Sequence, residues 1–124
     1  MTNTADSTID AIVAKQREFF KSGATLDPKW RKARLQDFLK AIEKWEKPLA
    51  DALWEDLHKS YKEAYITEIG LVKGEISKAA REVCRWSRKQ SRPTSIGCMP
   101  ARSYVVSEPL GCSLIISPWN YPVQ

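Results

Sequence analysis

Histidine is nearly absent from this chain: His58 is the only one in 124 residues. Hydrolase triads need a histidine or equivalent base beside the nucleophile. His58 stands next to Lys59 at an expected helix end, where a capping or surface role suits it better than catalysis. Cysteine is also sparse. Cys84, Cys98 and Cys112 form no CxxC and no Cys/His pair at metal-ligand spacing, which excludes a zinc site of the usual kinds. Cys84 reads as helix packing, Cys98 as a loop thiol near Arg92 and Arg102, and Cys112 as a structural residue opening a strand. Their odd number suits a reducing compartment. The five glycines are scattered, with no GxGxxG, GxxxxGK[ST] or GxSxG, so they form neither a phosphate cradle nor a nucleophile elbow. No window approaches the ~20 apolar residues of a membrane span. Met1 to Asp6 lacks the basic and apolar regions of a signal peptide. A cytoplasmic protein without a membrane span is expected.

What the chain does contain is mostly helix pattern. Ile9, Ile12, Val13, Gln16, Phe19 and Phe20 recur at helical spacing between Ser7 and Ser22, with Asp6 or Ser7 as cap and Gly23 at the C′ position. Asp27-Pro28 opens a second helix, with Asp27 as cap and Pro28 in the first turn. Trp30, Leu35, Phe38, Leu39, Ile42 and Trp45 form its apolar stripe. Pro48 would clash with the carbonyl of Lys44, so a kink or restart is expected there. A third segment then carries Leu49, Ala52, Leu53 and Leu57 to His58. Ser60-Tyr61-Lys62-Glu63 is a capping-box pattern. It starts a long helix over about Tyr61 to Lys89, in which Gly70 and Gly74 suggest a close helix contact. The net charge of +5 comes from acids and bases interleaved along these helices, as in Lys44-Trp45-Glu46-Lys47, and reads as a solvated surface.

From Ser91 the pattern changes. Residues 91–100 are turn-rich, and residues 101–107 have strand propensity. Glu108-Pro109-Leu110-Gly111 turns the chain into Leu114-Ile115-Ile116. This run lacks polar alternation and reads as a strand buried on both faces, as in a parallel sheet. Pro118 and Pro122 then bracket Trp119-Asn120-Tyr121 and stop the ladder, because proline has no N–H to donate. The result is a stiff loop at the C-terminal end of a strand, where ligands bind in open α/β sheets. A parallel strand also needs a crossover and a neighbour. The stretch is therefore expected to be the first unit of a larger α/β domain, with the remainder of the protein as a required partner.

The turn Glu108-Pro109-Leu110-Gly111, a short apolar strand and then Trp119-Asn120-Tyr121-Pro122 resemble the aldehyde dehydrogenase superfamily. Tyr121 after the asparagine and the run Asp56-Leu57-His58-Lys59 are similar to its class 3-like branch. Cys112-Ser113 and Ser117-Pro118 depart from that branch. The resemblance implies an α/β, Rossmann-like fold, of which this chain would supply a mostly α-helical part with two to three C-terminal β-strands. It implies a helical region over 1–90, a linker and bridging-sheet strand over 91–111, and the first strand and loop of an incomplete dinucleotide-binding domain over 112–124. It implies oxidation of an aldehyde to a carboxylic acid with NAD or NADP, and homodimers of the complete enzyme. Asn120 would be the oxyanion-hole donor. Ser117 and Trp119 would lie beside the cofactor and Tyr121 near the aldehyde. The nucleophilic cysteine and the general-base glutamate would belong to later segments, so these 124 residues alone are expected to be inactive.

Simpler readings stand beside these. Asparagine between prolines is also a favoured turn residue, and Trp119 could equally be a core aromatic. In a second class of function, the chain is a free-standing basic helical module that binds a partner or nucleic acid. Arg81, Arg85, Arg88 and Arg92 would share a helix face, and Lys29, Arg31, Lys32 and Arg34 would form a second cluster. The aromatic residues that could stack on bases lie instead on the apolar stripes, so no nucleic acid is expected.

Overall fold

The computed structural model describes residues 6–124. Helix α1 runs Asp6–Lys21, α2 Pro28–Leu57, α3 Tyr61–Ala64 and α4 Gly70–Trp86. A π-helical turn, Tyr65–Ile69, joins α3 to α4 without a break. Strand β1, Gln90–Arg92, pairs antiparallel with β2, Ser103–Val105, in a two-stranded sheet. A short 3-10 turn, Ile96–Cys98, lies between them.

The helix ends follow their local chemistry. Gly23 closes α1 at φ +76°, a conformation that favours glycine. The expected cap by Asp6 or Ser7 lies outside the described side chains. Asp27 accepts from the Lys29 N–H at 2.9 Å, with Pro28 in the first turn of α2. His58 caps the other end in the left-handed region, at φ 54°. The Ser60 hydroxyl accepts from the Glu63 N–H at 3.3 Å. The reciprocal bond of a full capping box is absent among the described residues.

Pro48 neither ends nor restarts the helix. Helix α2 continues through it to Leu57, packed along α4. Ala50 and Leu53, just beyond the proline, enter the core with Ala64 and Ile69. That packing offsets the lost backbone bond. Helix α4 buries Ile76, Ala80 and Val83 and ends at Trp86, short of the expected Lys89. The next residues join β1, a strand that the turn-rich composition of residues 91–100 concealed. A polar link ties α2 to α3 and α4: Glu46 accepts from Lys73 Nζ at 2.8 Å and from the Tyr61 hydroxyl. The Lys73 bond first, then the Tyr61 bond, holds the Glu46 carboxyl below its ordinary 4.5. The same contacts with Glu46 raise Lys73 and Tyr61.

Gly70 does not mark a contact between helices. A Cβ at this position would lie 2.7 Å from the carbonyl oxygen of Tyr65, the acceptor of the Gly70 N–H in the π turn. The absent side chain is what admits the wide turn. Around Gly74 a Cβ would meet nothing within 4 Å. The two glycines therefore respond oppositely to alanine. Gly74→Ala is expected to raise stability by about 0.5–1 kcal/mol, the ordinary gain of alanine over glycine in a helix. Gly70→Ala is expected to lower it by roughly 1–3 kcal/mol, as overpacking does. Urea midpoints of the two variants against the parent chain check both signs.

Leu114 to Ile116 do not form the expected buried strand. They pair with nothing among the described residues, and the three residues are 81–85% exposed. The physical reason is the lack of a neighbour: an isolated parallel strand has no ladder to join. Cys112, expected to be structural at the strand's start, is exposed for the same reason. Among the described residues the sheet content is thus two short strands.

Candidate functional site

The site is a turn held against the helical hairpin. The Tyr121 N–H donates to the Pro118 carbonyl at 3.2 Å, which places Trp119 and Asn120 at the tip of the turn. Val123, three residues past Asn120, packs against the core cluster of Ala50, Leu53, Ala64 and Ile69. The loop is therefore anchored behind its tip.

Two charged residues to which the sequence reading gave no site role make that anchorage specific. Lys59 Nζ donates to Glu68 Oε1 at 2.6 Å and to the Asn120 carbonyl at 2.6 Å. It also sits 4.0 Å from the centroid of the Tyr121 ring. The other carboxylate oxygen, Glu68 Oε2, accepts the Val123 N–H at 2.9 Å. Glu68 is fully buried and the Lys59 side chain is 12% exposed. A buried charge is tolerated when it is paired and its remaining bonding positions are used, and here both conditions hold.

Local sequence explains why the two residues arrive there. His58 in the left-handed conformation ends α2 and turns Lys59 back over the hairpin. Glu68 lies in the π turn that Gly70 permits, beside the equally buried Ile69. A sequence signal existed: a lysine just past a helix C-cap, and a glutamate beside an isoleucine one residue before a mid-helix glycine. Neither has meaning until the tertiary contact is known.

The expected site residues fall on one continuous segment. Ser117 is half-buried at its base. Trp119 is 93% exposed, so it is not a core aromatic within this chain. Tyr121 is 38% exposed and leans on Lys59. Asn120 is exposed, and its carboxamide has no hydrogen-bond partner among the described residues. A neutral donor on a fixed turn can stabilise a negative oxygen brought to it.

The four arginines do not share one helix face. Helix α4 ends at Trp86, so Arg88 and Arg92 lie beyond it, the latter in β1. Arg81 donates to Ser77, and Arg85 pairs with Glu82. In the second cluster Arg31 donates to Ser87 at 2.8 Å and Arg34 pairs with Asp37. No group of metal-ligating side chains occurs among the described residues. No described helix is long and apolar enough to cross a membrane.

The model of the aldehyde dehydrogenase family matches residues 1–124. The chain belongs to the aldehyde dehydrogenase family. It is 39% identical over 108 residues to the 4,4'-diaponeurosporen-aldehyde dehydrogenase of Staphylococcus aureus, covering 87% of this chain and 24% of that one. It is 37% identical over 111 residues to the chloroplastic aldehyde dehydrogenase family 3 member I1 of Arabidopsis thaliana, covering 90% and 20%. Human aldehyde dehydrogenase family 3 member B1 is 35% identical over 108 residues, covering 87% and 23%. The two family 3 relatives agree with the class 3-like branch expected from the sequence. A solved structure of the substrate-bound state of Staphylococcus aureus AldH superposes with a TM-score of 0.91 at 36% identity, covering 99% of this chain and 26% of the other. The fold is thus that of an N-terminal part of an aldehyde dehydrogenase. This chain spans about a fifth to a quarter of the length of its curated relatives.

Proposed function

We propose that the chain is the N-terminal part of an NAD- or NADP-dependent aldehyde dehydrogenase that oxidises an aldehyde to a carboxylic acid, with Asn120 as the oxyanion-hole donor. The observation that carries this reading is the Asn120 turn. Its backbone is fixed by Lys59 and its carboxamide is left unbonded and exposed. When a nucleophile attacks an aldehyde carbon, the carbonyl oxygen gains negative charge. An N–H already in place stabilises that charge without reorganising at the moment of reaction.

The other roles follow from position on the same segment. Tyr121 is assigned to the aldehyde approach, and Ser117 and Trp119 to one edge of the cofactor site. The residues present do not fit a whole dinucleotide, since none of the five glycines builds a phosphate cradle. The cofactor phosphates, the nucleophile and the general base are assigned to the remainder of the enzyme, as is the homodimer contact. In this reading residues 1–90 are a helical region, 91–111 a linker and bridging strand, and 112–124 the first strand and loop of the dinucleotide-binding domain. The exposed run Leu114 to Ile116 is the edge that neighbouring strands of that domain cover. A cytoplasmic location is part of the same proposal.

Completion tests it. Residues 1–124 joined to the C-terminal remainder of the Staphylococcus aureus relative are expected to form NADH or NADPH with a set of aldehydes, read by absorbance. The 124-residue chain alone is expected to form none. Turnover by the chain alone, or an inert completed enzyme that is nonetheless folded, would overturn the reading.

A further inference from the structure

We infer that Lys59 and Glu68 form a clamp whose task is to position the Asn120 turn, an inference that rests on the oxyanion role proposed above. The pair grips the loop at two points with opposite polarity. Lys59 donates to the Asn120 carbonyl, and Glu68 accepts from the Val123 N–H. Between these two bonds lie only Tyr121 and Pro122, one restrained by its ring against Lys59 and the other by its own ring. The backbone that bears the Asn120 side chain therefore has little freedom to rotate.

Each side chain is fully engaged in this task. The Lys59 ammonium is shared among a carboxylate, a carbonyl and a ring face. The two Glu68 oxygens are divided between Lys59 and the loop. Both residues come from the helical hairpin and none from the 112–118 segment. A pair that served only to join helices would not need Asn120 or Val123. The core beneath is already closed by Leu53, Ala64 and Ile69. The clamp instead transmits the rigidity of α2 and α4 to the one turn whose side chain must be aimed. Lys59 and Glu68 are thus positioning residues, acting through Asn120.

The test has two readouts. In the 124-residue chain, Lys59→Met, Glu68→Gln and the double change K59M/E68M are compared by amide hydrogen exchange and by NMR of the Asn120 carboxamide. The Val123 amide is expected to exchange roughly tenfold faster in all three, and the Asn120 signals to shift, while the double variant keeps parental protection at Leu53 and Ile76. An unchanged Val123 amide in the double variant overturns the clamp. So does joint loss of loop and helix protection in every variant, which would make the pair a core element only.

In the completed enzyme, K59M/E68M is expected to lower kcat about tenfold with the aldehyde KM little changed. In an Asn120→Ala background the same double change is expected to cost nothing further. Equal losses in both backgrounds would overturn positioning and leave the oxyanion role intact. An N120A enzyme with full kcat would instead overturn the oxyanion role, and the exchange data would still decide whether the clamp holds the loop.

Discussion

Replacing Asn120 with alanine in the completed enzyme is expected to lower kcat by about 10²–10³-fold, the loss seen when one donor leaves a comparable oxyanion hole. The aldehyde KM should change far less. The carboxamide bond strengthens as charge develops on the oxygen, so its removal raises the barrier more than it weakens binding. Asn120→Asp should do at least as much harm. It has nearly the same shape but places a carboxylate where negative charge must form. Steady-state kinetics of both variants, with melting curves to confirm folding, read the outcome. Because Asn120 is exposed and its side chain bonds nothing in the described structure, neither change should cost stability. A kcat within threefold of the parent enzyme would remove Asn120 from the chemistry.

The division between what was legible in the sequence and what was not has a physical basis. Local signals read correctly: Asp27-Pro28, Ser60 and Gly23 each act within a turn of their own position. The motif from Glu108 to Pro122 was legible as a family pattern because it is dense in proline, glycine and aromatic residues at fixed distances. Readings that depended on a distant partner failed. A restart at Pro48 was read as an alternative to a kink because the proline's cost is local, whereas the packing of α2 on α4 that carries the helix through it is not. Leu114 to Ile116 looked buried because an apolar run without polar alternation reads as a two-faced strand, yet no strand of the described residues pairs with it. The arginine face failed because α4 ends at Trp86, before Arg88 and Arg92.

Lys59 and Glu68 were missed for the same reason in its strongest form. By sequence Lys59 is an ordinary residue at a helix end and Glu68 an ordinary helix residue, and between them lie the capping serine and most of the π turn. Gly70 gave the nearest hint. It was read as a contact between helices, but it admits the wide turn in which Glu68 sits. The rule it illustrates is general: a glycine within a strong helical pattern can mark a change in the helix itself, and π turns are frequent at functional sites.

The ion pair also sets the largest expected change in stability. Lys59→Met should destabilise the chain by about 3–5 kcal/mol, because it leaves the Glu68 carboxylate buried without its cation. The native pair need not itself contribute so much. Its attraction is balanced against the cost of removing two charges from water. The double variant K59M/E68M, which leaves no buried charge, should therefore recover most of the loss, while the Val123 N–H gives up its acceptor and retains a smaller penalty. Urea unfolding of the parent, both single variants and the double variant forms the thermodynamic cycle, and a coupling of a few kcal/mol is expected. Additive losses would mean that solvent already screens the pair, contrary to a glutamate with no exposed surface. A stable double variant with a loosened turn would separate the two roles of this pair. Methionines would then suffice to hold the helices together, and only the charged residues would direct the Asn120 backbone.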